Sequence, residues 1–343
     1  MEIIKKIKKS LIKKNTFPKI IFPEGEEERI IKAAKKIADE NIARPILLGK
    51  EEKIKILSQK ENLASEKIEI IDPEKSEKKN IFAKEYLKKE KISLETAKNI
   101  FSHPLFFATM AVNLEEADGM IAGAVFTSGE VIAVASKIVG LKENIKTPSS
   151  FFLMVNKHFS GGEKGNLIFA DASVNINPTP EELADIAITT GETAISLLNW
   201  EPKIALLSFS TKGSASHPLT EKVVKALEIA QKKAPRLAID GELQADAALI
   251  KEIARKKMKD LGKVAGQANI LIFPDLNAAN IAYKLTSIIA DTQALGPILQ
   301  GFKKPISDLS RGAKTEEIFN IAVILAHWIN KIKIKKDNLN KKD

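Results

Sequence analysis

Near the C-terminal end of the sequence a hydroxyl, a guanidinium and a carboxylate stand close together, at Ser310, Arg311 and Glu317, with Gly312 directly after the arginine. Arginine is scarce in this chain, where only Arg29, Arg44, Arg236, Arg255 and Arg311 occur. An arginine beside serine and glycine, just before a helical pattern, suits an oxyanion of the phosphate type. Its planar fork of N–H groups matches phosphate oxygens, and a helix N-terminus adds backbone N–H donors. Glu317 follows Ser310 by seven residues, about two helical turns, which predicts one shared face. The plain alternative makes Ser310 or Asp308 a helix cap, Arg311 a surface ion pair and Glu317 a solvated residue; spacing alone leaves both readings open.

Two loops offer similar chemistry. Gly123-Ala124-Val125-Phe126-Thr127-Ser128-Gly129 and Phe209-Ser210-Thr211-Lys212-Gly213-Ser214 each follow a strand pattern. Hydroxyl- and glycine-bearing loops at strand ends bind anions through their backbone N–H groups and the following helix N-terminus. Thr127, Ser128, Gly129, Ser210, Thr211 and Lys212 are therefore candidate substrate-binding residues, with Gly312 beside Arg311. Neither loop has the Gly-x4-Gly-Lys-Ser/Thr pattern, and no Gly-x-Gly-x-x-Gly follows a strand, which weighs against nucleotide triphosphatase and dinucleotide chemistry. Cysteine is absent, which excludes disulfides, thiolate metal sites and a cysteine nucleophile. His103, His158, His217 and His327 lie in separate segments without metal-ligand spacing, so no metal is expected.

The elements that must position these residues follow from short apolar runs alternating with helical periods. Strands are predicted at 19–22, 45–48, 67–71, 119–122, 166–170, 203–208, 238–240 and 270–273, and helices at 26–40, 179–198, 220–233, 245–257 and 315–333. Thr179 with Glu182 and Pro180 reads as a capping box with proline in the first turn. Almost wholly apolar strands between helices indicate parallel sheets covered on both faces. With 343 residues, two domains are expected: 1–145 with 305–343, and 146–304. Residues 1–15 read as a basic amphipathic surface helix and 335–343 as a charged, frayed tail. The net charge of +10 comes almost entirely from lysines spread over helix faces. Without a cluster of arginines and aromatics this predicts a solvated surface and not a nucleic-acid groove. No apolar run approaches the ~18 residues of a membrane span, so a soluble cytoplasmic protein is expected.

Over nearly its whole length the sequence resembles the phosphate acetyltransferases, or phosphotransacetylases. The stretches that carry the resemblance are Phe22-Pro23-Glu24-Gly25 with Glu28-Arg29; Ala117-Asp118-Gly119 with Gly123-Ala124-Val125; Phe169-Ala170-Asp171 with Asn175-x-Asn177-Pro178-Thr179; 207–215; Asp240-Gly241-Glu242-Leu243-Gln244; Phe273-Pro274-Asp275-Leu276-Asn277-Ala278; and 296–312. The resemblance implies an α/β fold of two three-layer αβα domains with mainly parallel sheets, the active site in the cleft between them, and a homodimer. It also implies coenzyme A and acetyl phosphate as substrates, with no bound cofactor. In that scheme the thiolate attacks the acyl carbonyl directly in a ternary complex. Arg311 grips the phosphate, Ser310 hydrogen-bonds the reacting groups, and Glu317 stands where the family carries an aspartate thought to take the thiol proton.

The sequence departs from the family pattern at Leu87, Ala133 and Ile288, where arginines linked to coenzyme A are usual, and at Phe126, where histidine is usual. Lys88, Lys89 and Lys137 are the candidate substitutes, as point charges without arginine's two-pronged geometry. These departures keep two other readings open: transfer of propionyl or butyryl groups, and a catalytically weak paralogue with a binding role.

Overall fold

The computed structural model describes residues 2–14, 16–60 and 67–340. The ends of the expected N-terminal helix, Met1 and Asn15, and residues 341–343 of the expected tail lie outside the described residues. Within them, α1 spans Glu2–Lys14, with Ile4, Ile7 and Leu11 buried on one face.

The chain forms two compact units, residues 1–140 with 302–343, and residues 141–301. The first unit holds a five-stranded sheet. Its strands are β1 (Lys19–Phe22), β2 (Arg44–Leu48), β3 (Glu69–Ile71), β4 (Gly119–Ala122) and β11 (Ile306–Asp308), in the order β11-β4-β1-β2-β3 and all parallel. Ile20, Ile21 and Phe22 of β1, and all of β4, are buried, as the coverage of a parallel sheet by helices requires. The cover includes α2 (Glu28–Asp39), which buries Ile30, Ile31, Ala33, Ala34 and Ile37, and α13 (Thr315–Asn340), which buries Ile318, Ala322, Leu325 and Ile329. Between β2 and β4 the chain forms α3 (Glu51–Lys60), α4 (Lys78–Leu87), α5 (Leu94–Phe101) and α6 (Pro104–Asn113); α7 (Ser128–Ile138) follows β4.

The second unit holds a six-stranded sheet ordered β10-β5-β6-β9-β7-β8. Its strands are β5 (Ser149–Val155), β6 (Asn166–Ala170), β7 (Lys203–Leu207), β8 (Ala238–Leu243), β9 (Ile270–Ile272) and β10 (Gln293–Gln300). The pairs β10–β5 and β5–β6 are antiparallel and the rest parallel. Its helices are α8 (Pro180–Thr193), α9 (Pro218–Lys233), α10 (Ala245–Leu249), α11 (Lys251–Lys257) and α12 (Leu276–Ile289). The capping box expected at Thr179 and Glu182 is present. The single helix expected at 245–257 is two helices, because Ile250 takes extended backbone angles, φ −117° and ψ 108°, between them.

Candidate active site

The segment carrying Ser310 and Arg311 is not the start of a helix. β11 ends at Asp308, a turn follows, and α13 begins only at Thr315. Ser310 and Glu317 therefore do not lie two helical turns apart on one face. Ser310, Arg311, Gly312 and Glu317 are all exposed, and the amide of Gly312 donates to Ser310 Oγ at 3.4 Å. No hydrogen bond or ion pair ties the Arg311 guanidinium to any described residue. The Glu317 carboxylate accepts the amide N–H of Lys314 at 2.7 Å, which places it on the first turn of α13.

What fixes this turn is Arg29 of α2, a residue to which the sequence motif gave no role. Its Nη1 donates to the carbonyls of Arg311 and Ala313, each at 2.8 Å. Its Nη2 donates to the carbonyl of Ala124 at 3.3 Å, and Nε to Glu27 at 2.7 Å. One guanidinium thus fastens the turn after β11 to the loop after β4. The sequence signal was the scarcity of arginine itself.

The amides of the first hydroxyl loop are already occupied. Glu24, at the end of β1 and 6% exposed, accepts N–H bonds from Gly123 (3.0 Å), Ala124 (2.9 Å), Val125 (2.7 Å) and Phe126 (2.7 Å). The expected anion nest exists, but its anion is a side chain of the same chain. Thr127 caps α7 in a reciprocal box with Glu130, and Gly129 lies in the first turn of that helix. Ser128 donates its hydroxyl to Asp308 Oδ2 at 2.5 Å.

Asp308 is 1% exposed, and its Oδ1 has no hydrogen-bond partner. A Cβ at Gly123 would collide with that oxygen, and Gly123 has a φ of +110°, so only glycine fits there. Burial pushes the Asp308 carboxyl up to about 6 from its ordinary 3.8, against the opposing Ser128 and Leu309 hydrogen bonds and helped by the charge of Glu24. A carboxyl whose folded pKa is raised contributes stability that is full below about pH 4 and is lost as pH rises through about 6. Asp308→Asn cannot ionise. Its stability relative to wild type is expected to improve by about 2 kcal/mol between pH 4 and pH 7, read from urea midpoints at both pH values. A difference that stays constant over that range would contradict the shift.

In the second unit the loop 209–214 is organised in the same manner. Glu242 is 3% exposed and accepts from Ser210 Oγ and from the Gly213 amide, both at 2.8 Å. Thr211 Oγ1 accepts the Gln244 amide at 3.0 Å. Lys212 pairs with Asp240 and donates to the Gly241 carbonyl at 2.7 Å. It also lines a cavity of about 770 Å³ beside β8. Ser210 and Thr211 are buried, whereas Lys212 is exposed.

The three candidate coenzyme A lysines lie in the first unit. Lys137 Nζ is 3.5 Å from Glu90 and 5.5 Å from the Tyr86 ring centre, which brings it to the 87–91 segment. Lys88 pairs with Glu85 at 2.7 Å, and Lys89 is exposed. Leu87 is half-buried, Ala133 exposed and Ile288 80% exposed. Phe126 packs 5.4 Å from the ring of His103. Among the described residues no group of His, Cys, Asp and Glu could hold a metal ion, and no helix is long and apolar enough to cross a membrane.

The chain thus folds into two α/β units, and on the turn at the carboxyl end of parallel strand β11 it presents Ser310 and an Arg311 guanidinium that has no hydrogen-bond or ion-pair partner among the described residues. A sequence profile described as phosphate acetyl/butaryl transferase matches residues 2–326, and the chain belongs to that family. It is 48% identical over 309 residues to the phosphate acetyltransferase of Clostridium acetobutylicum, covering 89% of this chain and 92% of that relative. Among solved structures it is similar to the EutD phosphotransacetylase from Staphylococcus aureus, with a TM-score of 0.86 and 35% identity over 95% of this chain and 99% of the other. It is also similar to a phosphotransacetylase from Streptococcus pyogenes, with a TM-score of 0.85 and 40% identity over 92% and 94% of the two chains.

Proposed function

We propose that the chain catalyses reversible transfer of an acetyl group between acetyl phosphate and coenzyme A, by direct thiolate attack in a ternary complex. The observation that carries this reading is the Arg311 guanidinium: exposed, free of any described partner, and mounted on a turn whose carbonyls Arg29 fixes. An arginine held this way offers its N–H fork to a phosphate without first breaking a protein contact.

In the proposed reaction the coenzyme A sulfur attacks the acetyl carbonyl carbon, a carbon–sulfur bond forms, and the bond from that carbon to the bridging oxygen breaks, so that the oxygen leaves with the phosphate. Arg311 holds the phosphate and stabilises the oxyanion charge as it develops. Ser310, with the Gly312 amide beside it, hydrogen-bonds the reacting groups. Glu317 receives the thiol proton, which leaves on the departing phosphate. Ser128, with Thr127 and Gly129 beside it, borders the acyl phosphate from the loop after β4. Ser210, Thr211 and Lys212 shape the loop of the second unit, with Lys212 supplying its positive charge. Lys88, Lys89 and Lys137 face the phosphates of coenzyme A in place of the arginines replaced by Leu87, Ala133 and Ile288. The working protein is a cytoplasmic homodimer.

Acetyl is favoured over longer groups because the relatives at 38–48% identity are named for acetyl transfer. Thioester absorbance tests this directly. With coenzyme A, kcat/KM for acetyl phosphate is expected to exceed that for butyryl phosphate by at least about tenfold, the scale on which a pocket discriminates by added methylenes. The reverse order would move the assignment to a longer acyl group.

A further inference from the structure

Among the described residues of the first unit, Asp308 is the one fully buried carboxyl whose only hydrogen-bond donor from another side chain is a candidate substrate contact. Its Oδ2 takes the Ser128 hydroxyl at 2.5 Å, and its Oδ1 is buried without a partner. Two residues later the chain presents Ser310, and three later Arg311.

We propose that Asp308 is a positioning residue whose protonation state sets the direction of the Ser128 hydroxyl. This rests on the acyl-transfer reading of the same site. A serine hydroxyl has one proton to give and two lone pairs to receive. When Asp308 is ionised it is an acceptor only, so the Ser128 proton is committed inward and the outward face of Oγ can only accept. That is the orientation a thiol S–H needs. When Asp308 carries a proton, it can donate to Ser128 Oγ, and the Ser128 proton turns outward toward a phosphate oxygen. The same serine therefore serves the thiol in one state and the phosphate in the other.

The surroundings single out Asp308 for this behaviour. Glu24, at the end of β1, is the charged group whose field reaches it, and that field favours the protonated form. Of the elements packed against β11, β4 carries no ionisable side chain. On α7, Glu130 is committed to capping Thr127, and Lys137 faces Glu90 and Tyr86. On the first turn of α13, Glu316 pairs with Lys36, and Glu317 holds the Lys314 amide. Among the described residues no cation pairs with Asp308, and burial raises its carboxyl to about 6.

The test compares kcat/KM of Asp308→Asn with that of wild type from pH 5 to pH 8. Ionisations of the substrates cancel in the ratio. Asparagine resembles the protonated carboxyl, so the ratio is expected near one at pH 5 and to fall by about tenfold or more above pH 7, the loss expected for one misdirected hydrogen bond. A ratio independent of pH, whether uniformly low or unchanged, would overturn the proposal, since a merely structural role gives that result. In a Ser128→Ala background the pH dependence of the Asp308→Asn effect is expected to vanish; its persistence would also overturn the proposal. A readout independent of turnover is the Asp308 carboxyl titration by carbon-13 NMR without substrate. Ser128→Ala is expected to raise its midpoint, and an unmoved midpoint would overturn the coupling. An inactive wild type with an intact midpoint shift would count against acyl transfer and not against the coupling of Asp308 to Ser128.

Discussion

Replacing Arg311 with glutamine is expected to lower kcat/KM for acetyl phosphate by about 10³-fold, the upper end of what one oxyanion donor contributes. Its stability is expected to stay within about 0.5 kcal/mol of wild type. The second half of that expectation follows from the geometry. The guanidinium has no hydrogen bond or ion pair with a described residue, and the turn is held through the Arg311 carbonyl, which the substitution leaves in place for Arg29. Glutamine keeps a donor but loses the charge and the fork. Steady-state rates together with urea denaturation separate the two effects. A variant retaining more than a tenth of wild-type activity would place the phosphate elsewhere, and an unstable one would mean that the side chain has structural contacts.

The second large effect is expected at Glu24, and it is one of folding before catalysis. Its carboxylate is the acceptor for four successive amides at the end of β4. Glu24→Gln leaves one acceptor oxygen and turns an NH₂ toward the remaining N–H groups. Each buried amide left unpaired costs about 1–3 kcal/mol, so a loss of about 3–5 kcal/mol is expected, measured by urea denaturation. Because the same loop carries Ser128, activity is expected to fall with stability and not to return when the protein is held well below its melting temperature. A variant within about 1 kcal/mol of wild type would mean that water satisfies these amides and that Glu24 is not the organising group.

The parallel core was legible because its strands are nearly all apolar; Gly119–Ala122 and Asn166–Ala170 stand out as runs between helical periods. Three strands escaped the same criterion for identifiable reasons. β11 has three residues, two of them polar, and is buried by its pairing with β4 and its packing against α7 and α13. β10 is interrupted by Gly296-Pro297, where the register shifts. β5 begins with two serines, buried against Asp171, which accepts the amide and hydroxyl of Ser150.

At the site, the helix start expected at Thr315 is where α13 begins, but the shared face expected for Ser310 and Glu317 is absent, because Ser310 stands on the turn before that helix and not within it. The carboxylates that fill the loops could not be read locally. Glu24 lies 99 residues before the first amide it holds, and Glu242 lies 29 residues after Gly213. Both stood in stretches that carried the family resemblance, without a role that the sequence could assign. Asp308 left a weaker signal still, a single polar residue at the end of a short strand. Its partner Ser128 is 180 positions away and meets it only because β4 and β11 are neighbours.

Isotope exchange distinguishes direct attack of coenzyme A on acetyl phosphate from transfer through an acyl group held on the protein. The protein is incubated with acetyl phosphate and labelled inorganic phosphate, with and without coenzyme A. Label is expected to enter acetyl phosphate only when coenzyme A is present, because phosphate can return only by attacking the thioester. Exchange without coenzyme A would reveal an acyl group held on the protein, and no exchange even with coenzyme A would remove the proposed activity.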